Sequence, residues 1–317
     1  MDDKKTIIHI GLAKTGTSFL QTEVFPNLTN VFKRIVGTIE GNPTETPFDE
    51  IVNLRFMDFE ENKFKHSTEE VRNYITNNIT EPRLFISSDL LSNNFFLKYF
   101  GNEKGNEKEI IYNLIKDFFP SPKFFLVVRK QDDWINSIYN QCIKHANREL
   151  LSLNEFTGYR KGKFMQNDKH LDCHSIDWYE IVKFIEDRFG AGSVFVLPYE
   201  LFKSDKNEFL KQFYEHYSLE PFYPDKPEKR VNESKKYHPE YFYRKYLKFR
   251  HSLPEKLQKT FEKNDKGLLK VLYKIELKVP IEKLSKKQSE QIIQMHKESN
   301  KKLADYVGID LSEYGYY

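Results

Sequence analysis

Ile7-Ile8-His9-Ile10-Gly11-Leu12-Ala13-Lys14-Thr15-Gly16-Thr17-Ser18 carries an apolar run into a glycine-bearing turn, and a helix is expected to begin near Thr17. A buried strand followed by such a turn aims backbone N–H groups and a helix N-terminus at one point, which suits a phosphate or sulfate. Gly11 and Gly16 permit tight turning and close approach of a ligand. Lys14 adds a point charge, and Thr15, Thr17 and Ser18 add hydroxyl donors. Charge-assisted hydrogen bonds of this kind contribute roughly 1.5–3 kcal/mol each. The glycine spacing is that of the Walker A pattern G-x-x-x-x-G-K-[ST], but Thr17 stands where that pattern has its lysine. The only lysine precedes the second glycine, so neither a lysine on the β/γ-phosphates nor a hydroxyl on Mg²⁺ is implied, and no metal is expected.

Outward from this turn, Leu84–Ser87, Phe124–Val128 and Val194–Leu197 share the character of Thr6–Ile10: short, rich in Ile, Val and Phe, and without alternation. Such runs suit parallel strands covered on both faces. Helical patterns lie between them. Asp132 and Asp133 open one whose Ile135, Ile138, Tyr139 and Cys142 fall on a single face, and Ile176 to Phe189 reads as another, stopped by Gly190. Strand–helix alternation predicts an α/β fold with a central parallel sheet flanked by helices. After Pro221, Pro224 and Pro227 comes a basic connector, Lys229 to Lys236, and then charged helices without strands. Ser285 with Gln288 is a capping-box signature for a helix running to about Val307, stopped by Gly308. The expectation is one domain over 1–317, with an α/β core at 1–220 and a connector and helical appendage at 221–317.

Composition narrows the function. At 39% hydrophobic and 15% aromatic residues, the chain is too apolar for disorder. Lys and Arg number 50 against 47 Asp and Glu, a net charge of +3, which argues against a dedicated nucleic-acid binder yet allows a local basic pocket. Two cysteines make no disulfide framework, no apolar run is long enough to span a membrane, and the start lacks a signal-peptide pattern. A cytoplasmic location is expected. Arg129 ends the run Phe124–Val128, so it should lie on the ligand edge of the sheet, where its planar fork can hold a phosphate; an ion pair with Asp132 or Asp133 is the alternative.

Gly11 to Ser18, with its Lys-Thr-Gly-Thr-Ser core after a first strand, resembles the 5′-phosphosulfate loop of sulfotransferases that use 3′-phosphoadenosine-5′-phosphosulfate (PAPS). Arg129 and Ser137, eight residues apart, resemble the 3′-phosphate site of that family. Val194 to Glu200 resembles its later strand, which places Tyr199 near the adenine; a strand-end core tyrosine is the alternative. Arg230-Val231-Asn232-Glu233-Ser234 and Asn300-Lys301-Lys302-Leu303-Ala304 resemble the Asn-x-Ser loop and terminal helix of bacterial-type members, and Arg230 is expected to close over the nucleotide unless it belongs to a solvated linker. The resemblance implies a three-layer, P-loop-like fold, PAPS as cosubstrate, adenosine 3′,5′-bisphosphate as product, and Lys14, Thr15, Gly16, Thr17, Ser18, Arg129, Ser137, Tyr199 and Arg230 around the nucleotide. Lys14 would stabilise the bridging oxygen. A carbohydrate or glycolipid hydroxyl is the acceptor class implied.

An alcohol acceptor needs a general base. Arg83 to Asp89 resembles the family strand that delivers it, with Asp89 in place of the more usual His or Glu; a cap on the following helix is the alternative. Glu40 is a rival base and His66 a weaker one. His9 is expected to be a packed strand residue and Cys142 a core residue, while His170, Cys173 and His174 lack a second ligand pair of zinc-like spacing. The acceptor should meet loops at Thr38–His66, Leu91–Gly105 and Thr157–Asp172, the last of which carries Arg160, Lys161, Lys163 and Lys169. Two other readings stay open: a P-loop kinase or nucleotide hydrolase, and an inactive nucleotide-binding module.

Overall fold

A computed structural model describes residues 5–36, 67–93, 107–119, 121–144, 151–167, 169–224, 237–238, 241–274 and 278–317. Strands β1 (Lys5–Ile10), β2 (Phe32–Val36), β3 (Arg83–Ser88), β4 (Lys123–Val128) and β7 (Val194–Pro198) form one sheet in the order β2-β3-β1-β4-β7. All its pairings are parallel. The expected α/β class, a central parallel sheet flanked by helices, is therefore the fold of this chain. Each strand expected from its apolar run is present, extended by one or two residues at its ends.

The edge strand β2 escaped the sequence reading because Lys33 and Arg34 interrupt its apolar residues. An edge tolerates such residues. Lys33 Nζ donates to the carbonyls of Pro26 and Leu28, at 2.9 and 2.7 Å.

Strand order dictates where a ligand can enter. From β1 the chain proceeds toward β2 on one side of the sheet, whereas from β4 it proceeds toward β7 on the other. The carboxyl ends of the neighbouring strands β1 and β4 thus flank a topological switch point, where open α/β sheets take their ligands. Register sets the details. Ile10 is paired with Ser88 and Val128 with Pro198, so Gly11 leaves the sheet beside Asp89, and Arg129 leaves it beside Tyr199.

The sheet is buried on both faces. One packs Ile7, Phe85, Phe125 and Leu197 against Phe25 and against Phe209 and Phe213 of helix Lys206–Tyr217. On the other, helices Glu107–Phe118 and Trp178–Phe189 bring Tyr112 and Phe189 to Phe124, with ring centroids 6.1 and 4.7 Å apart. Asp177 caps the second of these helices by accepting from the Glu180 amide at 3.1 Å, and Gly190 ends it at φ 92°.

Helix Gln131–Lys144 begins one residue before the expected Asp132, and Ile135, Ile138, Tyr139 and Cys142 are buried as their spacing required. The capping box at Ser285 and Gln288 is formed in both directions, and helix Lys286–Val307 stops before Gly308 at φ 67°. The described residues fall into two compact units, Met1–Gln131 with His174–Val231 and Ile293–Tyr317, and Asp132–Cys173 with Asn232–Ile292. In the second, strands β5 (Tyr159–Arg160) and β6 (Lys163–Phe164) turn the expected loop into a hairpin. Lys161 and Gly162 both have positive φ there, 51° and 82°, which matches the twist a two-residue hairpin needs.

Candidate functional site

The turn after β1 is braced from within. Thr15 Oγ1 and Thr17 Oγ1 both donate to the Leu12 carbonyl, at 2.7 and 2.8 Å, and both residues are buried. Their hydroxyl protons therefore hold the turn in shape and are spent within it. Lys14 and Gly16 adopt positive φ, 67° and 86°. For lysine this conformation is strained, and such strain gathers at functional sites. Glycine is favoured at 16 because of its φ, while a Cβ there would only touch the Tyr199 ring at 3.4 Å. Helical backbone follows from Thr17 to Asn27, as a short α-turn, a π-turn and a 3-10 turn. Ser18 lies half-buried in its first turn, and its carbonyl accepts from Thr22 Oγ1 at 2.9 Å.

Arg129 closes the opposite side. Its Nη1 donates to the Lys14 carbonyl at 3.0 Å, and its guanidinium carbon lies 4.8 Å above the centre of the Tyr199 ring. Its own carbonyl accepts from Trp178 Nε1 at 2.8 Å. Arg129 Nε is buried without a hydrogen-bond partner among the described residues.

Tyr199 opens helix Tyr199–Ser204 and stacks on Phe202, 5.8 Å between centroids. The next residue, Glu200, accepts from the Lys130 amide at 3.1 Å and from the buried Tyr316 hydroxyl at 2.8 Å. Burial raises the Glu200 pKa from its ordinary value, against the pull of these hydrogen bonds. Glu200 thereby ties the turn after β4 to the C-terminal segment, a role the sequence reading did not assign. Asn300 performs a similar task, exchanging hydrogen bonds with Gln131 at 2.8 and 3.1 Å and donating to the Tyr316 carbonyl at 3.0 Å.

Asp89 follows β3 directly. A Cβ on Gly11 would overlap its Oδ1 and approach Thr17 Cγ2 to 3.0 Å, so glycine at 11 is what lets the carboxylate stand against the turn. Gln21 Nε2 donates to Asp89 Oδ1 at 3.1 Å and to Ser87 Oγ at 3.0 Å, while Ser87 Oγ also meets His9 Nδ1 at 2.8 Å. Burial pushes the Asp89 carboxyl up to about 7, against the opposing pull of the Gln21 hydrogen bond. Burial lowers His9 to about 3, so this imidazole stays neutral in its packed place between Phe25 and Phe125. A helix cap would use the Asp89 carboxylate, whose Oδ1 instead accepts from Gln21, while Ser92 Oγ donates to the Asp89 carbonyl at 2.8 Å. Gln21 and Ser87 were missed by the sequence reading. The available signal is that Gln21 lies one helical turn after Thr17, directly after Phe19 and Leu20.

Lys14, Thr15, Gly16, Thr17, Ser18, Asp89, Arg129 and Tyr199 are thus gathered in the first unit, at or beside the switch point. Ser137 is buried in helix Gln131–Lys144, in the second unit. Glu40, His66 and Arg230 lie outside the described residues, as does most of the loop at Leu91–Gly105.

No family model matches this chain, and no curated protein matches it. Among solved structures, the chain is similar to a sulfotransferase from Alicyclobacillus acidocaldarius. The identity is 15%, the TM-score is 0.45, and the likeness covers 86% of this chain and 97% of that one.

Proposed function

We propose that this chain is a sulfotransferase that moves the sulfuryl group of PAPS to a hydroxyl of an acceptor, a carbohydrate or glycolipid. One observation carries the reading. Three motif elements far apart in sequence, the Gly11–Ser18 turn, Arg129 and Tyr199, meet at the switch point, with Arg129 bonded to the Lys14 carbonyl and stacked over Tyr199. The residues suit a nucleotide of this class. Arg129 Nε is a buried donor in want of an acceptor, and Gly16 leaves the turn open beside a flat aromatic ring.

When bound, PAPS supplies an electrophilic sulfuryl group whose leaving group is a phosphate. Lys14 offsets the charge that the departing oxygen gains, and the turn's main-chain N–H groups hold that phosphate. Asp89 takes the proton of the acceptor hydroxyl as its oxygen bonds to sulfur and the old sulfur–oxygen bond breaks. A carboxyl held near 7 suits this task, because a base works best when its pKa lies close to the operating pH. Gln21 fixes Oδ1, which orients the carboxylate. The carbohydrate or glycolipid acceptor rests on the resemblance to bacterial-type members alone.

Thermal melts with added nucleotide test the reading. Adenosine 3′,5′-bisphosphate without Mg²⁺ should stabilise the protein, by about 2.7 kcal/mol at a hundredfold excess over Kd. Transfer of labelled sulfate from PAPS to a panel of glycans should follow. Stabilisation by ATP with Mg²⁺ and not by the bisphosphate would replace this reading with the kinase or hydrolase one. Bisphosphate binding with no transfer to any acceptor would leave the inactive module.

A further inference from the structure

Residues 241–274 of the second unit form three mutually packed helices, Tyr241–His251, Glu255–Asn264 and Lys266–Lys274. Two properties set them apart. Five of the eight strongly exposed large apolar side chains among the described residues are here: Phe249, Leu257, Phe261, Leu268 and Val271, at 38–58% exposure. The segment also holds ten Lys and Arg against three acidic residues, so the rest of a chain of net charge +3 carries −4.

The acidic residues do not offset the basic surface evenly. Asp265 is buried and accepts from Tyr246 at 3.1 Å and Arg250 at 3.2 Å. Glu262 lies 3.6 Å from Arg250 as well, and Glu255 is paired with Lys259 at 2.7 Å. Leu257 and Phe261 stand four residues apart on one helix, and Leu268 and Val271 three apart on the next. Exposed Lys256, Lys266 and Lys270 flank them.

Leu and Phe beside lysines on short helices is the pattern of a segment that lies in a bilayer interface, with apolar side chains below the headgroups and ammonium groups among them. Ten and nine residues are too few to cross a bilayer, and no described helix is long and apolar enough to do so. Nucleic acid would use the lysines and leave the leucines wet. We infer that helices Glu255–Asn264 and Lys266–Lys274 dock this protein on an anionic membrane surface. The inference is independent of the proposed reaction, since its readout is binding.

The test is co-sedimentation of the full chain with vesicles of phosphatidylcholine, alone or mixed with phosphatidylglycerol. Binding is expected to the mixed vesicles and to weaken as salt is raised. Lys256→Gln combined with Lys266→Gln and Lys270→Gln should reduce partitioning about a hundredfold, at about fivefold per lysine. Phe261→Asp with Leu268→Asp should abolish it while leaving the melting temperature unchanged, because both side chains are exposed. Failure to bind the mixed vesicles would overturn the inference, as would equal binding to phosphatidylcholine alone or full binding by the aspartate variant. So would tight binding of single-stranded RNA by a protein that ignores vesicles, or a solution dimer that the aspartate variant dissolves.

Discussion

Phe125, in the sheet, and Phe261, in helix Glu255–Asn264, are the same residue type in opposite physical situations. Phe125 is fully buried, with Phe213 at 4.9 Å and His9 at 5.4 Å, whereas Phe261 is 38% exposed. The contrast extends to their surroundings. Around the sheet even the polar residues are enclosed and bonded to one another, as in the set His9, Ser87, Gln21 and Asp89. In the 241–274 helices, apolar side chains face water and lysines surround them. The first arrangement holds a site in shape; the second leaves a surface for something else to cover.

Four measurements press on that difference. Phe125→Ala should cost about 3–5 kcal/mol in urea unfolding, since a packed ring leaves a cavity that cannot fully collapse. A loss below about 1 kcal/mol would show the sheet core to be looser than its contacts indicate. Lys14→Ala should lower turnover by about 10²–10³ while nucleotide-free stability is kept, the loss typical of one preorganised donor. Full turnover in that variant would remove Lys14 from the reaction.

Asp89→Asn joins both properties of the enclosed region. Burial holds this carboxyl near 7 in the folded chain, above the ordinary value of 3.8. Between those values the folded state binds more protons than the unfolded one, so Asp89 lowers stability as pH rises across that window. At pH above about 7 the asparagine variant should therefore melt a few degrees higher than wild type while transferring far less sulfate. Wild-type kcat/KM should fall as pH drops through about 7, because a protonated base cannot accept. A pH profile unchanged by Asp89→Asn would move the base elsewhere. Smallest of all, Phe261→Ala should change stability by no more than about 0.5 kcal/mol, as exposed substitutions do. A larger loss would mean that the helix face is covered by part of the chain itself.

The strands of the central sheet were readable because each is a short apolar run that burial on two faces demands. The turn was readable because lysine, two glycines and three hydroxyls coincide within eight residues. β2 was not, since an edge strand need not be apolar throughout, and neither was the β5–β6 hairpin, whose Lys161-Gly162 turn lacks the usual Asn-Gly or Asp-Gly signal. Local pattern thus carried the class of fold and the place of the glycine-bearing turn after β1, since periodicity and turn chemistry act over a few residues. Folding alone settled that the Thr15 and Thr17 hydroxyls turn inward to Leu12, that Arg129 reaches the Lys14 carbonyl across 115 positions, and that Gln21 holds a carboxylate 68 positions away. Such contacts depend on strand order and register, and no local stretch of chain encodes which distant neighbour it will meet.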